Sequence, residues 1–254
     1  MRFTLHLQIL AFLLLSGVVF GQPASCPTSA SAMSPSAPAG AVPISGEHHH
    51  HLVLGNRYVC VWEVEVPPRQ RTLLHEHDNS YAYIVLGDAD ITNAVTGKAP
   101  AKLQLPDTTV NYSPGPLAHV VTNDADTPFR NITIELLQPQ GAVDKHYPSL
   151  DAALASPEAA QEAATSGVTL FETNEIRAYA VAVPGGKSWE APADHESLVV
   201  QPEKIVNASG PREKDAPMFP AGMVRWDGAE EHLAVHNDSR QPEKLLVLEF
   251  KDRK

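Results

Sequence analysis

The twelve residues Thr72-Leu73-Leu74-His75-Glu76-His77-Asp78-Asn79-Ser80-Tyr81-Ala82-Tyr83 decide how this chain is read. Successive side chains of a strand point to opposite faces. Read as one strand, Leu73, His75, His77, Asn79, Tyr81 and Tyr83 share a face, and Thr72, Leu74 and Glu76 take the other. Both imidazoles then point the same way, which is a start for a divalent-metal site. Two solvated or core histidines give the same pattern, so the pair needs a third partner. About forty residues on, His119 follows Pro114-Gly115 and heads Val120-Val121. Three imidazoles on one ion leave positions open for water or substrate.

Outward from this stretch the chain repeats itself. Pro67 ends the run Tyr58, Cys60, Trp62, Val64, Val66, and Pro184 ends a similar run from Ile176 to Val183. Asn123-Asp124, Pro128 and Glu135 recur as Asn237-Asp238, Pro242 and Glu249, each 114 residues later. Gly115 and His119 recur as Gly228 and His232. These landmarks predict two units, residues 47–140 and 168–251, joined by a linker over 141–167. Ser149 to Ala164 is rich in Ala and Glu, which predicts a connecting helix in that linker. Within each unit the segments are short, alternate as in Ile132 to Leu136, and are cut by turns such as Leu86-Gly87-Asp88 and Thr96-Gly97. This predicts an all-β sandwich or barrel whose strands keep one wet face, and disfavours a parallel sheet with crossover helices.

Composition narrows the function classes. The 254 residues are 43% hydrophobic and 19% charged, enough for a buried core and too apolar for wholesale disorder. A net charge of −11 repels phosphate backbones and excludes nucleic acid as the expected partner. Two cysteines cannot build a disulfide-dense scaffold, and no phosphate loop, nucleophile elbow or CxxC occurs.

The amino-terminal part reads as address and tether. Met1-Arg2 precedes an apolar stretch from Ile9 to Phe20, too short to span a bilayer and typical of a secretory signal over 1–21. Val19-Phe20-Gly21 offers small residues at the cleavage positions; lipid attachment at Cys26 is the alternative, and an uncleaved anchor is a third. The Pro-, Ala- and Ser-rich stretch over 22–46 reads as a disordered spacer. The expected location is the periplasm or the outside. Cys26 and Cys60 could pair there, although nothing in their spacing demands it. Glu47-His48-His49-His50-His51 reads as a solvated approach to the first strand, with one of its histidines left as a candidate for the barrel mouth.

The first unit resembles a cupin, a small double-sheet jelly roll with two sequence motifs. His75 and His77 match the His-x-His pair of the first motif and Gly87 its closing glycine, while Arg69 stands at the opening glycine and Tyr81 where the motif has Glu. Pro114, Gly115, His119 and Asn123 match the second motif, with one extra residue between Gly and His. The resemblance implies two consecutive cupin jelly-roll barrels, with His75, His77 and His119 holding a divalent ion (Fe, Zn or Mn). Tyr81 is expected to pack or to touch a bound oxygen rather than coordinate, and Tyr83 to line the pocket. In the second unit Ala191, Ala193 and Ser197 fall opposite His75, His77 and Tyr81, so that unit reads as degenerate. His232 remains opposite His119, and a displaced site from His195, His232 and His236 is the opposing reading. The implied function is an exported metal-binding cupin, with a metal-dependent enzyme of dioxygenase or isomerase/hydrolase type acting on a small organic molecule as its finer reading. The alternative is a non-catalytic small-molecule or metal-binding module. A homodimer is a possible assembly.

Overall fold

The computed structural model describes residues 26, 37–202, 222–228 and 233–251. The signal sequence, most of the spacer and His232 lie outside the described residues.

The first unit contains β1 (Val42–Pro43), a 3-10 turn (Ile44–Gly46), β2 (His50–Gly55), β3 (Val59–Val66), β4 (His75–His77), β5 (Tyr81–Val85), β6 (Ala89–Val95), β7 (Ala101–Leu105), β8 (Val110–Ser113), β9 (Leu117–Asn123) and β10 (Phe129–Leu136). They form two five-stranded sheets, ordered β1-β4-β9-β6-β7 and β2-β3-β10-β5-β8. After β11 (Asp144–Lys145), α1 (Leu150–Ala153) and α2 (Pro157–Ala163), the second unit runs through β12 (Val168–Glu172), β13 (Ile176–Val183), β14 (Ser188–Glu190), β15 (Glu196–Gln201), β16 (Met223–Asp227), β17 (Ala234–His236) and β18 (Glu243–Phe250). A six-stranded sheet, β11-β12-β13-β18-β15-β16, faces a two-stranded one, β14-β17. The architecture is the expected duplicated all-β fold, but its sheets face one another as layers and do not close into barrels.

The expected single wet face of the strands is absent where the core is thickest. Along β10, Ile132, Thr133, Ile134, Glu135 and Leu136 are all buried. Ile132, Ile134 and Leu136, with Val59 and Val61 of β3, pack against Ile176, Ala178, Leu246, Leu248 and Phe250 of the second unit. The other face of β3, Cys60, Trp62, Val64 and Val66, fills the first unit with Val85, Ile91 and Phe129. Tyr179, Val181, Leu245 and Val247 do the same in the second unit. Each central strand therefore serves two cores, and its polar alternation marks the inside of a unit, not solvent.

The repeated landmarks have a common physical cause. Asn123 Nδ2 donates to the carbonyls of Val66, Pro67 and Thr127 at 3.0, 3.2 and 2.8 Å. Asn237 Nδ2 donates to Val183 and Gln241, both at 2.7 Å. In each unit one buried amide clasps the strand end before a proline to the turn that follows the Asn.

The linker differs from the single helix expected. Pro157 has no N–H to continue a helix and forces the preceding residue out of helical geometry, so it begins a second one. Ser149 and Ser156 each cap a short helix, accepting from Ala152 and Ala159 at 3.0 and 3.1 Å. The spacer is also shorter than expected. Val42–Pro43 pairs in parallel with His75–Glu76, and Cys26 forms a disulfide with Cys60. No helix among the described residues is long and apolar enough to cross a membrane.

Candidate metal centre

His75 and His77 do not share one strand with Tyr81 and Tyr83, as alternation alone suggested. Asp78-Asn79-Ser80 turns the chain from β4 in one sheet to β5 in the sheet opposite. Gly115 permits the turn, because a Cβ there would sit 2.2 Å from the Asn79 carbonyl oxygen. The two tyrosines consequently approach the histidines from the opposite sheet, with Tyr81 directly against His77. His119 on β9 pairs directly with His75 in register.

The structure brings His75, His77 and His119 together and adds His50 from the start of β2. The His75 ring lies 4.5 Å from that of His119, 5.2 Å from that of His77 and 4.7 Å from that of His50, centroid to centroid. Donor nitrogens of His50, His75 and His77 all lie within 4.8 Å of one another. His119 joins through His75, the two Nε2 atoms being 3.0 Å apart.

Each ring is held from behind. His50 Nδ1 meets Glu47 Oε2 at 2.6 Å, His75 Nδ1 meets the Leu73 carbonyl at 3.0 Å, His77 Nδ1 meets Glu135 Oε1 at 3.3 Å, and His119 Nδ1 meets Asn93 Oδ1 at 2.9 Å. The Leu73 carbonyl can only accept, so His75 Nδ1 carries a proton and donates it, while the other three contacts hold their rings in place. Burial, with the neighbouring imidazoles adding to it, holds His75 and His77 well below the usual histidine range, and His119 is lowered to about 4. These three rings are neutral at pH 7. At 3.0 Å the His75 and His119 Nε2 atoms are close enough to share one proton, and equally close enough to ligate one ion. Two metal–nitrogen bonds of about 2.05 Å at right angles would set their nitrogens roughly 2.9 Å apart. The donor set therefore fits a divalent ion.

The surroundings are a tuned frame. Glu47 is lowered to about 2: burial opposes ionisation, but His50 and the amides of Leu73 and His49 outweigh it. Glu135 behaves oppositely. Burial, then the Asp78 carboxylate, raises it to about 8, so it holds a proton at neutral pH and still accepts from His77. Tyr81 stacks on His77 with centroids 4.0 Å apart, and burial raises its pKa, keeping the phenol neutral. Tyr83 lines the same pocket with Asn131, Thr133, Leu103 and Phe129, around a cavity of about 50 Å³. At roughly 10–15 Å³ of such volume per water, this is room for a few small groups.

The sequence reading missed His50, Glu47, Asn93 and Glu135. Glu135 had a signal, since it recurs as Glu249 with apolar residues on either side in both strands. His50 was indistinguishable from its three neighbours until a strand register placed it.

In the second unit the pairing Ser197–Glu249 matches Tyr81–Glu135. Ala191 N donates to the Leu233 carbonyl at 3.0 Å where His75 pairs with His119 in the first unit, and His232 lies outside the described residues. Leu245 and Val247 stand where Asn131 and Thr133 line the first pocket. His195 lies 3.8 Å from Glu249, while exposed His236 is held by Ser188 and Asp238, and no three-donor group joins them among the described residues.

The fold and pocket define a duplicated double-sheet fold similar to that of cupins, with a histidine-lined cleft in its first unit and, among the described residues, none in its second. The chain is similar to a cupin domain from Bordetella pertussis Tohama I, at 25% identity over 34% of this chain and 90% of that one, with a TM-score of 0.33. It is similar to AerE from Microcystis aeruginosa at 9% identity over 81% and 94%, with a TM-score of 0.49. It is also similar to a salicylate 1,2-dioxygenase from Pseudoaminobacter salicylatoxidans at 12% identity over 76% and 68%, with a TM-score of 0.44. No family model matches the chain, and no curated protein does.

Proposed function

We propose that the chain is an exported metal-binding protein whose first unit holds one divalent ion, and that the loaded pocket acts on a small organic molecule. The observation that carries this reading is the convergence of four histidines, each ring anchored through Nδ1, on one cavity. His75, His77 and His119 would hold the ion, with His50 as a fourth donor. A bound Fe, Zn or Mn ion would supply Lewis-acid polarisation or, as iron, dioxygen chemistry. The protein's own share is orientation and exclusion. Glu135, Asn93 and the Leu73 carbonyl fix the rings, Tyr81 braces His77, and Ile91, Leu103, Val121 and Phe129 keep the pocket largely apolar. No Lys or Arg lines this pocket, so a small neutral or singly charged chelating ligand suits it better than a polyanion. The Cys26–Cys60 disulfide supports an oxidising location, and it engages the sulfur that lipid attachment would need.

One feature favours a non-catalytic reading. Four histidines saturate a tetrahedral ion, as in closed structural sites, whereas three leave a position open. His50 therefore decides between enzyme and binder. Metal content of protein purified without a tag should be stoichiometric and should fall by one equivalent in His75→Ala with His119→Ala. An unchanged metal content in that double variant ends the proposal. Oxygen uptake across diketones, thiols and phenolics then separates the readings: turnover by wild type identifies an enzyme, and ligand binding without turnover a carrier.

A further inference from the structure

The histidine run holds more than the one ring that enters the pocket. Glu47, His48 and His49 each offer a donor atom, and these atoms lie within 4.8 Å of one another. His48 Nδ1 is 3.4 Å from Glu47 Oε1, and the His48 and His49 rings are 4.1 Å apart. A second observation is independent of this clustering. His49 is only 8% exposed, yet its Nε2 is buried without any hydrogen-bond partner. Leaving such an atom unsatisfied costs about 1–3 kcal/mol, which a bound cation would remove. The remaining hydrogen bonds of the segment show that its shape is fixed. Glu47 Oε2 accepts from the His49 amide at 2.9 Å, and Glu47 Oε1 from the Leu73 amide at 3.2 Å. The same carboxylate orients His50 at the inner pocket.

We propose that Glu47, His48 and His49 form a second metal site, at the rim of the first unit and sharing Glu47 with the inner one. Two imidazoles and a carboxylate are a borderline donor set, suited to zinc-class divalent ions. The side chain of His48 is 59% exposed and supplies the solvent-facing ligand, while His49 supplies the buried one. Placed beside the inner pocket, the rim site would collect an ion from dilute solution next to the histidines that keep it.

The site shares Glu47 but no histidine with the inner centre, so the test separates the two. Zinc bound by the full chain is measured by equilibrium dialysis and elemental analysis in wild type, in His48→Ala with His49→Ala, and in His75→Ala with His119→Ala. The rim proposal expects the His48/His49 variant to lose one zinc equivalent relative to wild type, whatever the inner variant does. Unchanged stoichiometry overturns it. Because His49 is buried, His48→Ala alone provides a check that leaves the core untouched. It should weaken the rim zinc at least about tenfold, and unaltered affinity for every bound zinc overturns the proposal.

Discussion

His119 shows how far burial tunes a single ring. Its pKa falls from the usual 6.5 to about 4, so the folded protein keeps it neutral while the unfolded chain takes up a proton. Stability from a depressed histidine is complete above pH 6.5 and is lost as pH falls through 4. At 1.36 kcal/mol per unit, the loss approaches about 3 kcal/mol. Urea unfolding of metal-free wild type and His119→Ala at pH 7 and pH 4 should show that difference; equal pH dependence in both refutes it. Glu135 has the opposite sign: raised to about 8, it stabilises fully below 4.5 and loses that contribution as pH rises through 8. Its hydrogen bond to His77 is also a positioning contact. Glu135→Leu should weaken metal binding about 10–100-fold, and Glu135→Gln, which keeps an acceptor, much less.

At the scale of elements, the twin asparagines are the clearest construction rule. Removing Asn123 leaves three carbonyls without this donor, and removing Asn237 leaves two. Each change to Ala should cost about 1–3 kcal/mol in chemical denaturation, and a loss below about 0.5 kcal/mol at both sites would contradict the clasp. Such elements explain what the sequence made legible. The repeat could be read because each landmark (Asn, Pro, Glu) answers a backbone or packing demand made twice. The His75–His77 pair was legible from period-two alternation, and His119 from its place after Pro114-Gly115. The turn at Asp78–Ser80 was not, because alternation continues through it while the backbone changes sheets. His50 and Glu135 reach the pocket only through pairings across sequence separations that no local pattern records. The buried outer face of β10 was hidden for the same reason: Ile132, Ile134 and Leu136 meet a partner more than a hundred residues away.

At the scale of the whole molecule, the largest core lies between the units. Leu248, fully buried and opposite Ala178, belongs to it and touches neither pocket. Leu248→Ala should cost about 2–5 kcal/mol and leave metal stoichiometry at neutral pH unchanged. Calorimetry beside elemental analysis tests both halves of that statement. The second unit, its interior closed by Leu245, Val247 and Leu233, acts as a wall for the first: β3 and β10 carry pocket residues on one side and this seam on the other.

The seam joins equivalent positions. Val59 and Ile176, Ile132 and Leu246, Ile134 and Leu248 are counterparts in the repeat, and all sit in one cluster. One polypeptide carries both copies of this greasy face, so each covers the other within a single chain. The pairing can then not be undone by dilution.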